Sequence, residues 1–245
     1  IYWSVNVSAA HNRNKITKIS NFMKKRNEEV IKKAEEENQS APVILYEEGR
    51  SLTDIYAVRS LGIDPATGNE LYLTKQGLTT FTYNSFDQVA VGNTRPDLEG
   101  IIGTSLTYKN LTFSANFRYK IGGQIYNSTL VDRVENADLY GNVDRRIYDD
   151  RWRKEGDQSL YKSIFDKTTT RPTSRFVQDE NVFTCESVSL GYDIKHKGIL
   201  RTLGMERLRV NAYMNDIMRL STVRQERGIN YPFANRIAFS LSATF

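Results

Sequence analysis

Residues 235–245 alternate between apolar and small polar side chains, and this pattern constrains the fold more than any other feature of the chain. The apolar positions are Ile237, Phe239, Leu241, Ala243 and Phe245, and the positions between them are Arg236, Ala238, Ser240, Ser242 and Thr244. Successive side chains of a strand point to opposite faces, so the segment predicts a strand with one apolar face. A tilted strand of this length can cross the hydrocarbon of a bilayer. A chain that ends on Phe in such a strand is typical of an outer-membrane β-barrel, and we predict that the apolar positions face lipid.

The composition excludes several other classes of protein. The mean hydropathy is −0.53 and no run of about 18 apolar residues occurs, so no transmembrane helix is predicted. The net charge of +5 is mild, and a nucleic-acid partner is not expected. A single cysteine, Cys185, excludes an intrachain disulfide and is predicted to be an inert strand residue. The first ten residues alternate and carry no basic segment, so they predict a strand rather than a signal peptide, and we expect the chain to begin in mid-protein.

Six segments alternate clearly enough to predict antiparallel strands, and they begin near residues 1, 99, 111, 176, 207 and 235. Lys109 and Asn110 form a tight turn between the second and third of these. The polar faces carry four cations, which would be costly toward lipid and are expected to face a wet lumen. These are Arg118, Lys120, Arg209 and Arg236.

The connections between the strands are of unequal length. Residues 20–40 are densely charged and predict a helical or loop excursion that is solvated, with a membrane-surface helix as the alternative. Its apolar stripe would consist of Met23, Val30, Ile31 and Ala34. Residues 62–68 predict a turn, because Pro65 presets φ and Asp64 can bond to the backbone ahead of it. Residues 127–175 alternate little, and loops of this length are usually functional.

Loop lengths predict an orientation in the membrane. Short turns after Ala10, Tyr108 and Ile194 would lie in the periplasm, and long loops after Gly123 and Leu220 would lie outside. This arrangement requires one or three further crossings between residues 16 and 98, and hence seven or nine strands in total. Because single-chain bacterial barrels use an even number and an open edge in lipid leaves amides unpaired, the chain is predicted to be part of a larger barrel.

Several short motifs, in their order and spacing, resemble the SusC/RagA-type TonB-dependent outer-membrane transporters over essentially the whole chain. They include Tyr46-Glu47-Glu48-Gly49-Arg50-Ser51, Gly62-Ile63-Asp64-Pro65-Ala66-Thr67-Gly68, Gly122-Gly123-Gln124-Ile125-Tyr126-Asn127 and Asn142-Val143-Asp144-Arg145-Arg146. The others are Arg151-Trp152 with Gly156-Asp157, Arg175-Phe176, Leu190-Gly191-Tyr192 and Tyr231-Pro232-Phe233-Ala234.

The resemblance implies a barrel of about 22 strands with a plug domain in its lumen, in the outer membrane of a Gram-negative bacterium. It also implies a SusD-like surface lipoprotein as a partner, energy from TonB, and the import of oligosaccharides or peptides. Residues 1–245 would then be the C-terminal part of the barrel, without the plug, the TonB box or a signal peptide. Such a chain cannot by itself carry out energised transport.

Enzyme chemistry is poorly supported by the sequence. His11 and His196 fall in predicted turns, no metal-, nucleotide- or protease-type motif occurs, and the aspartates of residues 127–175 are explained by solubility. We therefore predict no catalytic residue, cofactor or metal. The same segment combines aromatic and cationic residues, and we predict that Tyr140, Arg145, Tyr148 and Trp152 line a ligand chamber or contact the lipoprotein, with packing inside the loop as the alternative.

Two other functions fit the strand pattern less well. A soluble, carbohydrate-binding β-sandwich would also alternate, but it would bury its apolar face against a second sheet. An outer-membrane enzyme would need a catalytic cluster, and a passive porin would not need the ordered motifs.

Overall fold

The computed structural model describes residues 1–202, 204–224 and 234–245, which form two compact units. Unit 1 consists of Ile1–Asn12, Pro96–Gly123 and Glu180–Phe245, and unit 2 consists of Arg13–Arg95 and Gln124–Asp179. The described strands are β1 (Tyr2–Ala10), β2 (Asp54–Ile63), β3 (Glu70–Leu73), β4 (Thr79–Thr80), β5 (Gln88–Asn93), β6 (Leu98–Tyr108), β7 (Leu111–Tyr126), β8 (Val177–Ile194), β9 (Arg207–Ser221) and β10 (Ile237–Thr244). The helices are α1 (Asn21–Glu36), α2 (Arg146–Asp149) and α3 (Lys197–Thr202). Among the described residues, no helix combines the length and apolarity that crossing a membrane requires.

Unit 1 contains a six-stranded antiparallel sheet in the order β1-β6-β7-β8-β9-β10. These are the six strands that alternation predicts. Their register aligns the apolar positions of neighbours, since Phe239 lies opposite Ala212 and Ala212 lies opposite Leu190. The antiparallel β architecture is therefore confirmed, and the alternation of single strands becomes one apolar face and one polar face of the whole sheet.

Hydrogen bonds between side chains connect the strands on the polar face. They join Ser4 to Ser105 (2.9 Å), Ser114 to Ser189 (2.7 Å), Asn116 to Ser187 (3.0 Å) and Asn211 to Ser240 (3.3 Å). Two of the four cations predicted on this face have carboxylate neighbours, because Arg118 lies 2.5 Å from Glu186 and Arg209 lies 3.9 Å from Asp193. The polar face is thus a connected network rather than a set of isolated groups.

The predicted crossings between residues 16 and 98 are wrong. In the described residues, β2 to β5 form a separate four-stranded sheet in unit 2, in the order β4-β3-β2-β5, and β1 pairs directly with β6. The large sheet therefore holds six described strands instead of seven or nine. Because Ala10 lies opposite Glu99, β1 ends where β6 begins, and the His11 ring nitrogen Nδ1 lies 2.5 Å from the Asp97 carbonyl oxygen.

This pairing also corrects the predicted orientation of residues 11–15. The tight turn at Lys109 and Asn110 lies at the other end of the sheet, so residues 11–15 cannot share a side with it. The connection after Ala10 is accordingly long and leaves the sheet at the same end as the long connections after β7 and β9. Both short connections, β6–β7 and β8–β9, lie at the opposite end. All the long connections between the described strands of the large sheet therefore leave from one end and both short connections from the other, whereas the sequence predicts a short turn after Ala10.

Unit 2 has its own core. Ser20 caps α1 by accepting a hydrogen bond from the Met23 amide, and the predicted stripe of this helix buries Ile31 and Ala34. Ile31 packs with Leu45 and with Tyr56 of β2. Residues 20–40 are predicted to form either a helix or a loop, and residues 21–36 of this segment form the helix α1.

Residues 127–175 are folded around a second apolar cluster. Its buried members are Val131, Val134, Ile147, Tyr161 and Phe176. A π-helical turn at Leu130–Glu135 and the short helix α2 supply three of them. The long loop of the sequence analysis is therefore a packed structure with exposed residues on its outside. The motif at 231–234 has residues 231–233 outside the described part of the chain.

Candidate ligand-binding site

The four residues predicted to meet a ligand or partner occupy different environments. Tyr140 is 95% exposed and lines a cavity. Arg145 is exposed and forms an ion pair with Asp149 at 3.5 Å. Tyr148 is exposed, and the Arg153 guanidinium lies 4.0 Å from the centre of its ring. Of the four, Tyr140 lines this cavity, and Arg145, Tyr148 and Trp152 are not among its lining residues.

Trp152 packs against the turn at residues 62–68. Its indole Nε1 donates a 2.9 Å hydrogen bond to the carbonyl oxygen of Pro65, which also accepts from the amide of Gly156 at 2.9 Å. The ring covers Gly68, and a Cβ added there would lie 2.5 Å from Cδ2 of Trp152. Gly68 also has φ +73°, which an L side chain rarely adopts. The contacts of Trp152 correspond to the packing alternative of the sequence analysis.

The turn that receives Trp152 has the predicted chemistry. The Asp64 carboxylate accepts bonds from the amides of Ala66 and Thr67 and from the Thr67 hydroxyl at 2.7 Å. These bonds, led by that of the Thr67 hydroxyl, hold the pKa of Asp64 below its usual value, because they favour the ionised form. The turn is therefore formed by local bonds that do not depend on Trp152.

The cavity at Tyr140 has a volume of about 380 Å³. The cavity is lined by residues 135–140, by residues 166–169, and by Arg151 and Ile164. Three acidic residues, Glu135, Asp138 and Asp166, and two cationic residues, Arg151 and Lys167, belong to the lining together with apolar side chains. A lining with both signs of charge can hold a ligand that carries both an amino and a carboxylate group, in the manner of mixed polar and apolar binding pockets.

Buried charges fix the wall of this cavity. The Arg175 guanidinium donates to Glu70 at 2.8 Å and to Glu135 at 2.7 Å, and all three side chains are almost fully buried. Burial lowers the pKa of Arg175, but the two carboxylates, Glu70 first, outweigh it and raise the pKa above its ordinary value. The guanidinium is consequently held as a cation at every physiological pH.

A second buried arginine is held by the backbone. The Arg151 guanidinium donates to the carbonyl oxygens of Ile147, Lys162, Val134 and Glu135 at 2.7 to 3.3 Å. Burial lowers its pKa, since the charged form is partly desolvated. Arg151 thus joins three stretches of residues 127–175 at the cavity.

The other side of the cavity is shared with a neighbouring cavity of about 330 Å³. Both include Asp166, Thr168 and Thr169. Lys162 forms an ion pair with Asp166 at 3.2 Å. Burial raises the pKa of Asp166, but hydrogen bonds from Thr168 and the charge of Lys162 outweigh it and lower the pKa. Asp166 is therefore ionised at neutral pH and can accept a hydrogen bond from a ligand.

Sequence reasoning missed this set of buried charges. Arg151 and Arg175 belong to the resembling motifs, but nothing in the sequence connects them with Glu70 or Glu135. A charged side chain is buried only when it has a partner. The sequence signal for burial here is that Arg151 and Arg175 each precede an aromatic residue, Trp152 and Phe176.

The apolar residues predicted in the last strand are exposed. The exposed fraction is 62% for Ile237, 74% for Phe239, 68% for Leu241 and 77% for Phe245. Within the described ranges no group of three His, Cys, Asp or Glu side chains could hold a metal ion. Cys185 is a free, buried strand residue.

Comparison with known proteins gives related chains. No family model matches the sequence. The TonB-dependent receptor P39 of Formosa agariphila is 24% identical over 288 residues, which cover 96% of this chain and 27% of that protein. The RagAB peptide importer in its open-open state is similar in structure, with a TM-score of 0.70 and 15% identity over 99% of this chain and 27% of the other.

A second structure, of the RagAB peptide transporter, has a TM-score of 0.64 and 16% identity over 91% of this chain and 25% of the other. The chain thus spans about a quarter of the length of these proteins. Their names describe a receptor, an importer and a transporter rather than enzymes, as the sequence analysis expects. These similarities confirm the resemblance of the chain to a part of the SusC/RagA-type TonB-dependent transporters.

Proposed function

We propose that the chain forms part of an outer-membrane nutrient importer of the TonB-dependent type in a Gram-negative bacterium. The observation that carries this proposal is the exposed apolar face of the six-stranded sheet. Val7 is 66% exposed and Phe239 is 74% exposed, although each lies on the apolar side of its strand. An apolar face of this size is unfavourable in water by about 25 cal/mol per Å² and costs nothing against lipid.

The opposite face supports the same assignment. Its serines, asparagines and paired cations form side-chain bonds across the strands. Such a face suits a water-filled lumen, because charges toward lipid cost about 2–4 kcal/mol each near the midplane. In the β-sandwich alternative a second sheet would cover the apolar face, and among the described residues this face is uncovered.

The remaining parts of the importer belong to this proposal. The chain spans about a quarter of the length of its relatives, and we assign residues 1–245 to the C-terminal part of a barrel of about 22 strands, as the resemblance in the sequence implies. The strand edges of β1 and β10 would pair with further strands, because unpaired edges are not tolerated in lipid. A plug, a TonB-contacting segment and a SusD-like lipoprotein would complete the assembly.

The cavity at Tyr140 is proposed as a site that contacts the imported nutrient. Its carboxylates and cations favour a peptide, whose termini carry both charges, over a neutral oligosaccharide. The name of the RagAB peptide importer supports the same substrate class. The long connections are proposed to lie outside the cell, where a ligand would arrive first.

Spin labels on the full-length transporter in lipid vesicles test the membrane assignment. Labels at Phe113, Phe117 and Phe239 are expected to be accessible to oxygen and protected from a water-soluble nickel reagent. A label at Ser240, the neighbour of Phe239 on the other face, is the matched control and should show the reverse. Protection of the three phenylalanine positions from both reagents would place them in a dry protein interior and refute the proposal.

Uptake of labelled peptides by cells tests the cavity. Tyr140→Ala combined with Lys167→Gln should reduce uptake, because both positions line the cavity. Phe165→Ala is the control, since this residue is 87% exposed and does not line it. Equal uptake by all variants would remove the cavity from the ligand path. Peptide uptake that is unaffected while oligosaccharide uptake falls would refute the substrate class.

A further inference from the structure

Residues 13–26 carry six cations and no carboxylate. They are Arg13, Lys15, Lys18, Lys24, Lys25 and Arg26. The six residues are exposed, and none forms an ion pair with any residue in the described ranges. Glu48, whose carboxylate accepts a hydrogen bond from the Ile19 amide, lies beside them, and Glu28 and Glu29 follow Lys24 and Lys25 at i,i+4 spacing on α1, so the six cations have three neighbouring carboxylates. A positive surface therefore remains, in a chain whose net charge is only +5.

The backbone of this segment is held in place within unit 2. Ile16 exchanges hydrogen bonds with Gly49 and Arg50, each at 2.8 Å. The Asn14 side-chain oxygen accepts from the Ser51 hydroxyl and the Leu52 amide. The cations thus project from an ordered segment, which reduces the entropy lost when they bind an anion.

The segment begins at the end of a strand that we assign to the membrane. Arg13 follows Ala10, the last residue of β1, by three residues, and Lys15 follows it by five. An extended chain spans at most about 3.6 Å per residue, so these two charges lie within roughly 11 and 18 Å of the strand end. The Debye length at physiological salt is about 8 Å, so these charges interact strongly with headgroups only at closer approach, which the upper bounds of roughly 11 and 18 Å permit.

Two exposed apolar residues accompany the charges. Phe22, at the start of α1, is 73% exposed, and Leu52, whose amide bonds to Asn14, is 55% exposed. Cations beside exposed apolar side chains are typical of segments that lie in the interfacial region of a membrane.

We propose that residues 13–26 bind the phosphate groups of the glycolipid in the outer leaflet of the membrane. This inference depends on the proposed function, because β1 must cross the membrane and the long connection after it must lie outside. The outer leaflet of such a membrane consists of glycolipid that carries several phosphates, and phosphates spaced along a leaflet match cations spread along a segment. Lysine and arginine close to an anionic surface strengthen binding by about fivefold each at low salt.

Binding of bisphosphorylated lipid A micelles to the purified full-length transporter tests the proposal. The variant Arg13→Gln, Lys15→Gln, Lys18→Gln should bind roughly a hundredfold more weakly than the wild type, and the difference should shrink as salt is added. The control removes three charges from exposed cationic residues elsewhere in unit 2, by Lys75→Gln, Arg133→Gln and Lys154→Gln. The control should bind lipid A as the wild type does. Heat-modifiable migration on gels shows that each variant is folded.

Three results would overturn the proposal. Equal affinity of the wild type and the first variant would show that the segment does not meet the glycolipid. Displacement of lipid A by micromolar inorganic phosphate would indicate a site for free phosphate. Loss of lipoprotein co-purification with unchanged lipid A binding would assign the segment to that protein instead. Failure of the proposed function itself is distinct, because the wild type would then not fractionate with the outer membrane.

Discussion

A side chain at Gly68 should release Trp152 from the turn at residues 62–68. Gly68 and Gly62 both have positive φ, at +73° and +99°. A Cβ at Gly68 meets the Trp152 ring at 2.5 Å, whereas a Cβ at Gly62 meets nothing within 4 Å. The pair Gly68→Ala and Gly62→Ala therefore separates backbone strain from the loss of Trp152.

The magnitude follows from these contacts. Left-handed φ costs an alanine about 1–2 kcal/mol, and this cost is common to both variants. Displacing Trp152 removes the hydrogen bond to Pro65, worth about 1 kcal/mol, and part of the burial of a half-buried indole, worth about 2 kcal/mol. The Gly68→Ala variant should consequently be about 3 kcal/mol less stable in this region than Gly62→Ala.

Hydrogen exchange on the full-length transporter measures this difference. The reporter is the amide of Gly156, which donates to Pro65 and is protected only while the two segments remain together. Its exchange should be about a hundredfold faster in Gly68→Ala than in Gly62→Ala. Trp152→Phe should give a smaller acceleration, because the ring contact is kept and only the hydrogen bond is lost. Equal exchange in the two glycine variants would refute the packing of Trp152 on the turn.

Three further predictions concern buried charge and the faces of the sheet. Arg175→Met should destabilise unit 2 by about 3–5 kcal/mol, because it leaves two buried carboxylates without their cation. The control Arg145→Met, at an exposed position, should change stability by less than about 0.5 kcal/mol. Limited proteolysis of the transporter compares the stability of the two variants. The lowered pKa of Asp166 should stabilise its segment fully above about pH 4 and lose this contribution as the pH falls, and Asp166→Asn should abolish that dependence in hydrogen exchange. Phe239→Arg should cost about 2–4 kcal/mol in refolding into vesicles and Ser240→Arg much less; equal costs would contradict the lipid assignment of the apolar face.

The strands of unit 1 could be predicted because each alternates over eight or more residues. The partner of β1 could not be predicted from the sequence. This partner is β6, and the paired residues Ala10 and Glu99 are 89 residues apart in the chain. Residues 55–58 carry a sequence signal against a membrane crossing, because Ile-Tyr-Ala-Val is a continuous run without alternation. Ile55 to Val58 are buried at consecutive positions of β2, and such a run indicates a strand covered on both faces rather than a lipid-facing one.

The candidate site could be predicted only in part. Asp64 and Thr67 are three residues apart, so their turn chemistry is visible in the sequence. Trp152 meets a glycine 84 residues before it, and Arg175 meets Glu70 at a separation of 105 residues. Contacts at these distances depend on how unit 2 folds, and neither periodicity nor spacing encodes them.

The pairing of β1 with β6 also sets the order in which the large sheet can assemble. The β6–β7 hairpin closes across three residues, from Tyr108 to Leu111, whereas β1 must close a loop of about 90 residues. The entropic cost of that closure is about 3 kcal/mol greater. Hairpins therefore form early, and β1 joins them after the intervening chain has become compact. Until that moment the backbone N–H and C=O groups on the edge of β1 that later pairs with β6 have no strand partner.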